Sequence, residues 1–340
     1  IIDANLNRAR EALRTIEDYA RFVLDDADAA STAKHARHDL QTIVAQLGAD
    51  SLLAARDIGG DVGRAAKTSA ELARAGAAAV LRAAFGRLTE ALRTIGEWAK
   101  LETPDVAAGA ERIRYAAYEL EQRILLRGDR RARFRDIRVY ALLTATLCRR
   151  DWHETAELVL RGGAGCLQLR EKDLDGAELL ARARQLRELT RAHNALLAIN
   201  DRPDIARLCS ADIVHVGQTD LSVRDVRRIA GTEVLVGKST HTPEQFDAAL
   251  AESPDYIAIG PMFATNTKPQ EHIAGVETLR TLAPRTELPI VAIGGIAAQN
   301  VAKIAPAGAT CVAVCAAVIG SEDPEAATRT LVTEMEKARA

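Results

Sequence analysis

Apolar residues recur every third or fourth position from Ile1 to about residue 130, the spacing of helices that bury one face. Leu13, Ile16 and Ala20 form one such stripe, and Leu92, Ile95 and Ala99 form another. The repeat extends to the residues themselves. NRAREALRTIEDYARFVL (7–24) resembles GRLTEALRTIGEWAKLE (86–102), with EALRTI identical in both. Each copy is followed by a turn-like stretch and a second helical pattern, ARHDLQTIVAQL in one and IRYAAYELEQRILL in the other. Two related helical hairpins in a bundle are the simplest architecture for an all-helical domain over 1–126. The Arg-rich RGDRRARFRD (127–136) reads as a linker.

From Ile137 the pattern changes to short β-branched runs that alternate with helical segments such as DGAELLARARQLRELTRAH (175–193). The runs are VYALLTATL, CLQLREK, LLAINDR, DIVHVGQTD, VLVGKSTH, YIAIGPMF, PIVAIGG and CVAVCAAVIG. Eight βα units over 137–340 predict an α/β fold, a compact (β/α)8 TIM barrel. An open doubly wound sheet is the alternative. It would place one glycine-rich phosphate motif after its first strand, and no GxGxxG stands there.

Polar residues cluster at the carboxyl ends of these runs. In CLQLREKDLDG, Gln168, Arg170 and Lys172 alternate and so share one strand face. Asn200 and Asp201 follow the third run, Asp220 the fourth, and Ser239 and His241 the fifth. Thr265, Thr267 and Lys268 follow the sixth, and Gly294 and Gly295 the seventh. A barrel brings all of these to its catalytic face. Arg170, Lys172 and Lys268 suit phosphate oxygens. Asp201 and Asp220 are hard oxygen ligands of the kind Mg2+ takes alongside phosphate and water. IGGI (293–296) and the backbone near Cys315 offer a second anion site built from main-chain N–H groups. A diphosphate and a monophosphate would suit the two. Asp201 could instead cap the following helix, and His215 and His241 read as hydrogen-bonded structural residues.

Composition narrows the function classes. Lys plus Arg total 45 and Asp plus Glu 47, a balance that argues against a nucleic-acid binder or a membrane-surface protein. Small-molecule substrates are expected, and homo-oligomerisation is left open. The five cysteines match no zinc or CxxC spacing, which fits a reducing, cytoplasmic setting. No run has membrane length. The sequence begins at Ile1 rather than Met, so N-terminal targeting is left open.

In order along the chain, LQLREKD, INDRPDIA, VHVGQTDL, GKSTHT, IGPMFATNTKP, PIVAIGGI and VAVCAAVIG resemble the thiamine phosphate synthases. That family joins a hydroxymethylpyrimidine diphosphate to a thiazole phosphate with Mg2+, releasing pyrophosphate. The resemblance implies that Gln168, Leu169, Arg170, Glu171, Lys172, Asn200, Ser239 and Lys268 hold the pyrimidine diphosphate. It makes Arg170, Lys172 and Lys268 the catalytic cations and Asp201 and Asp220 the metal ligands. Thr265, Thr267, Gly295, Cys315 and Ala316 would contact the thiazole phosphate. Ala316 stands where the family usually has Ser. A thiazole tautomerase is the alternative, and it would not need the diphosphate cluster.

In the helical half, ARDIGGDVGRAAKTS (55–69) is glycine-rich, but its Lys67 follows Ala66 and the Walker spacing is absent. Arg56, Asp57 and Asp61 could wrap a phosphate and a metal, or the stretch could be a plain interhelical loop. IIDANLNRAREALRTIEDYARFVLDD and RDIGGDVG resemble a helical domain fused ahead of thiamine phosphate synthases. That domain is associated with phosphorylating the pyrimidine monophosphate, which implies ATP as a substrate and a bifunctional chain. A non-catalytic dimerisation module is the rival.

Overall fold

In a computed structural model, residues 1–24, 26–56, 74–264 and 273–338 are described. Contacts divide the chain into Ile1–Gly128 and Asp129–Ala340. Among the described residues no helix is long and apolar enough to cross a membrane.

The first unit is helical: α1 (Ile2–Phe22), α2 (Ala27–Leu47), α3 (Ala49–Ala54), α4 (Ala77–Ala99) and α5, which runs Pro104–Arg135. Helix α1 packs on both α2 and α4. The repeated letters do repeated work. Ala12, Leu13 and Ile16 of α1 and Ala91, Leu92 and Ile95 of α4 are all buried in one core. Burial of that stripe, at about 25 cal/mol per Å² of apolar surface, is the main force holding the bundle. Asp26 caps α2 by accepting from Ala29 N at 3.0 Å, and it also pairs with Arg123 (2.8 Å) and Arg127 (2.6 Å) of α5. Pro104 opens α5, where a missing N–H costs nothing. The stretch read as a linker is helical through Arg135 and forms the end of α5.

The second unit is a closed barrel of eight parallel strands in chain order. They are β1 (Val139–Leu143), β2 (Cys166–Leu169), β3 (Leu196–Asn200), β4 (Ile213–Val216), β5 (Leu235–Thr240), β6 (Tyr256–Ile259), β7 (Ile290–Ile293) and β8 (Cys311–Val314). Parallel pairing of Val139 with Val312 closes β1 on β8. Each expected run contains one strand, and each strand is buried on both faces, which is why the runs read as near-continuously apolar. Alternate residues separate into two layers. Val139, Ala141 and Leu143 pack outward against the helices, while Tyr140 and Leu142 point into the barrel.

Helices α6 (Trp152–Arg161), α7 (Gly176–Ala192), α8 (Pro203–Leu208), α9 (Val223–Ala230), α10 (Pro243–Ala251) and α11 (Gly275–Leu282) follow the first six strands. After β7 only short 3-10 turns, Val301–Lys303 and Ala305–Ala307, take the helix's place. Pro306 and the left-handed Gly308 break that segment. Helices α12 (Ala316–Ile319) and α13 (Pro324–Lys337) complete the ring.

The amino-terminal end of the barrel is closed by charge and aromatic packing. Phe134 stacks on Tyr256 with centroids 4.4 Å apart. Asp212, just before β4, accepts from Arg187 (2.6 Å) and Leu197 N (2.9 Å) and pairs with Arg130 (3.3 Å). Asp255, just before β6, accepts from Arg131 (2.6 Å), Arg227 (3.0 Å) and Val236 N (2.8 Å).

Candidate active site

The carboxyl ends of the strands open on a cavity of about 850 Å³. Gln168, Arg170, Lys172, Asn200, Asp201, Asp220, Ser239, His241, Gly295, Cys315 and Ala316 all line it. Gln168 faces it from β2, and Arg170 and Lys172 face it from the loop that follows the strand. Leu169 and Glu171, carried over with them by resemblance, have their side chains elsewhere. Leu169 packs in the outer layer, and Glu171 accepts from Ala145 N at 2.7 Å and Arg182 at 3.2 Å. Only their main chains could reach a ligand. Thr265, Thr267 and Lys268 lie outside the described residues, as do Asp57 and Asp61. Arg56 is described, and its guanidinium donates to both carboxylate oxygens of Asp3, at 2.6 and 2.9 Å. That bidentate pair uses Nε and one terminal nitrogen of the guanidinium.

The two carboxylates meet at one rim. Asp201 leaves β3 in the left-handed region, with φ 60°, a conformation that Asp and Asn adopt more readily than most residues. Its N–H donates to His215 O at 2.9 Å, which holds the turn against β4. Asp220 closes its own turn by accepting from Gly217 N at 2.8 Å. Lys172 Nζ stands 3.7 Å from Asp201 Oδ2. Burial and the adjacent Asp220 carboxylate together push the Asp201 carboxyl above its ordinary range. Two hard oxygen donors that disfavour each other's charge fit a divalent cation completed by phosphate and water. Among the described residues no cluster of three or more His, Cys, Asp or Glu offers a metal a richer donor set.

The raised pKa makes stability depend on pH. A carboxyl whose folded pKa is raised contributes stability that is complete in acid, below the ordinary Asp value, and is lost as pH rises through the raised value. A bound cation would reverse that loss. Mg2+ is therefore expected to raise the melting temperature more at pH 7 than in acid below the ordinary Asp value. Asp220→Asn should raise the metal-free melting temperature by about 1–2 °C and remove the Mg2+ response. Melting curves of both proteins with and without Mg2+ check this.

The opposite rim is built from backbone. Gly295 has φ 67°, and a Cβ there would sit 2.7 Å from the carbonyl oxygens of Phe263 and Ala264. Glycine alone allows that loop to close over β6's end. Cys315 precedes α12, and burial pushes its thiol up to about 11, so it adds no negative charge near an anion.

In the cavity wall, His215 is hydrogen-bonded at both ring nitrogens, to Tyr256 and to Ser239. Burial, aided by the Arg170 and Lys238 charges, lowers its pKa to about 4, so it is neutral at pH 7. His241 Nδ1 is 2.6 Å from Gly260 O, and since a carbonyl only accepts, that nitrogen carries the hydrogen. Tyr140 and Tyr256 were not candidates in the sequence, where a tyrosine in an aliphatic run reads as filler. Both line the cavity, and their hydroxyls are hydrogen-bonded to Gln168 and His215.

Comparisons with known proteins agree with this geometry. Residues 139–318 match the family profile described as thiamine monophosphate synthase, and residues 1–123 match the one described as the ThiD2 family. A thiamine-phosphate synthase from Synechocystis sp. is 38% identical over 99% of this chain and 96% of its own length. That of Thermosynechococcus vestitus is 39% identical over 98% of this chain and 94% of its own. The solved thiamine phosphate pyrophosphorylase from Pyrococcus furiosus superposes with a TM-score of 0.57 at 30% identity, covering 61% of this chain and all of that one. With one profile spanning the barrel and relatives aligned along nearly the whole chain, this protein belongs to the thiamine monophosphate synthase family.

Proposed function

We propose that the barrel joins hydroxymethylpyrimidine diphosphate to thiazole phosphate, giving thiamine phosphate and pyrophosphate. The observation that carries this reading is the pairing of Asp201 and Asp220 beside Lys172 at one cavity rim that also holds Arg170. Asp201 and Asp220 would hold Mg2+. When bound, the ion supplies positive charge to the diphosphate oxygens. Arg170, Lys172 and Lys268 neutralise the departing diphosphate. Gln168, Asn200, Ser239 and the main chain at Leu169 and Glu171 hold the pyrimidine diphosphate.

Thr265, Thr267, Gly295, Cys315 and Ala316 hold the thiazole phosphate. Ala316 offers an N–H but no hydroxyl, which weakens that site by about 1 kcal/mol relative to serine. The pyrimidine amino group feeds electrons toward the methylene carbon, so its C–O bond breaks with the electron pair leaving on diphosphate. The thiazole nitrogen then donates its lone pair to that carbon. Positioning of the two rings in one cavity supplies the rest. A tautomerase would leave the carboxylate pair and the Arg170–Lys172 stripe without a task.

The helical unit, by its family match, is proposed to phosphorylate the pyrimidine monophosphate with ATP and so make the diphosphate that the barrel consumes. Exposed Trp98, Leu101 and Tyr115 favour the dimerisation module as a second reading. One assay on the intact chain tests both activities. With the pyrimidine diphosphate, thiazole phosphate and Mg2+, pyrophosphate release is expected, and its absence would overturn the synthase reading. With the monophosphate and ATP instead, thiamine phosphate should still form. If it does not, the helical unit is not the kinase.

A further inference from the structure

The strand positions that face the helices are apolar around the barrel, except for Lys238 and Thr240 on β5. Thr240 donates its hydroxyl to Ala258 O at 3.1 Å, so the sheet itself satisfies it. Lys238 is charged and only 4% exposed, and it is the one lysine buried among the described residues. A buried ammonium is unfavourable unless a partner is built for it. Lys238 does not line the cavity, so the chemistry proposed above gives it no direct part.

The partner is Glu252, the C-cap of α10, whose Oε1 lies 3.3 Å from Lys238 Nζ. The other oxygen, Oε2, accepts from the N–H of Val223 at 2.8 Å. Val223 is the first residue of α9. The first N–H groups of a helix have no partner within it, and a carboxylate there also meets the positive end of the helix dipole. Ser222 caps α9 by accepting from Asp225 N at 3.1 Å. Glu252 completes the cap from a different helix, and Lys238 holds Glu252.

These contacts end beside the carboxylate rim. Asp220 stands three residues before Val223. Its loop is tied on the other side as well, because Gln218 Nε2 donates to Ser239 O at 2.5 Å. Ser239 is the residue after Lys238. Two tethers, at 218 and 223, thus hold the segment between β4 and α9 against β5, and Asp220 lies between them. Inside the segment Gly217 N donates to Asp220 Oδ2 at 2.8 Å. A Cβ on Gly217 would sit 3.0 Å from that oxygen, so the turn is tight.

The tethers have a force to resist. Asp201 and Asp220 are like charges side by side, which is part of why the Asp201 carboxyl is raised. Before a cation binds, that repulsion favours a loop that swings Asp220 away. A segment pinned at both ends yields less, and its carboxylate waits in place for the ion.

We propose that Lys238 and Glu252 are positioning residues for the divalent cation: the buried pair pins the first turn of α9 to β5 and so holds Asp220 against Asp201. The inference rests on the metal assignment within the synthase reading above. It assigns the pair no contact with substrate or ion.

The test titrates the intact protein with Mn2+ alone and reads the free ion by its electron paramagnetic resonance signal. Lys238→Met keeps the length of the side chain and removes its charge. It is expected to weaken Mn2+ binding by about tenfold, the usual effect of an outer-shell change. Glu252→Gln should weaken it by about threefold, since an amide oxygen still accepts from Val223 N. The double variant should bind about as Lys238→Met does, because both changes act through one contact. In pyrophosphate release the Mg2+ concentration for half-maximal rate should rise by the same factors. The rate at saturating Mg2+ and KM for thiazole phosphate should stay within about twofold. A purely structural role would lower the melting temperature and leave the Mn2+ constant alone. An unchanged Mn2+ affinity in Lys238→Met, or in Glu252→Gln if Lys238→Met does not fold, overturns the inference and leaves the synthase reading standing. A wild-type protein that binds no Mn2+ removes the metal assignment and the inference with it.

Discussion

Asp201→Ala is expected to reduce Mg2+-dependent pyrophosphate release by about 1,000-fold, as befits loss of a ligand to the ion that stabilises the leaving group. The residue has little structural work to lose. Its side chain is only partly buried and its ionic neighbour is Lys172 at 3.7 Å. Removing it also relieves the repulsion from Asp220 that raises its pKa. The left-handed backbone at φ 60° makes alanine a slightly strained replacement, costing up to about 1 kcal/mol. Asp201→Asn is the cleaner control, since asparagine tolerates that conformation and keeps the volume. Both variants should melt within a few degrees of the wild type and both should lose turnover. Unchanged turnover in either would refute the metal assignment.

The largest effect on stability is expected at the other end of the barrel. Asp255→Ala should destabilise the second unit by about 3–5 kcal/mol, the usual cost of breaking a buried ion pair from one side. Asp255 is 4% exposed. It accepts from Arg131 and Arg227 and from the main-chain N–H of Val236. Alanine leaves two guanidinium groups and an amide in low dielectric without that acceptor. In a domain of this size the loss corresponds to a drop of about 10 °C in melting temperature. Arg329→Ala, which removes the exposed side of the pair with Glu325, should cost less than about 1 kcal/mol. Thermal melts of the two variants measure the contrast. A melting temperature for Asp255→Ala equal to that of the wild type would contradict the role given to this cluster.

Much of the fold was legible because burial writes itself into the residue pattern. The barrel strands are covered on both faces, so each became a short apolar run that helices could not imitate. The EALRTI repeat gave two helices whose buried positions coincide. The seventh βα unit was harder. AQNVAKIAPAGA contains enough apolar residues to suggest a helix, but Pro306 and Gly308 leave it as 3-10 turns. The stretch 127–136 looked like a linker because arginines dominate it. It is helical because its arginines have partners, among them Asp212 and Asp255, that no local pattern reveals.

The cavity rim was legible for a different reason. Charged and amide residues ending an apolar strand have no packing role, so Arg170, Lys172, Asn200 and Asp201 stood out. Resemblance carried Leu169 and Glu171 over with Gln168, Arg170 and Lys172, and the side chains of the first two turn to the outer layer and to Ala145 N. The contact between Tyr140 and Tyr256 was not legible. Their hydroxyls meet across 116 residues of sequence, and only closure of the barrel brings them together. The Arg56–Asp3 pair was not legible for the same reason, since its partners lie 53 residues apart.

The proposed chemistry depends on a divalent ion between two strand ends, and crystals grown with Mn2+ and inorganic pyrophosphate would locate it directly. An anomalous peak within coordination distance of both Asp201 and Asp220, with pyrophosphate oxygens turned toward Arg170 and Lys172, is the expected result. A metal bound away from either carboxylate, or pyrophosphate bound elsewhere in the barrel, would contradict it.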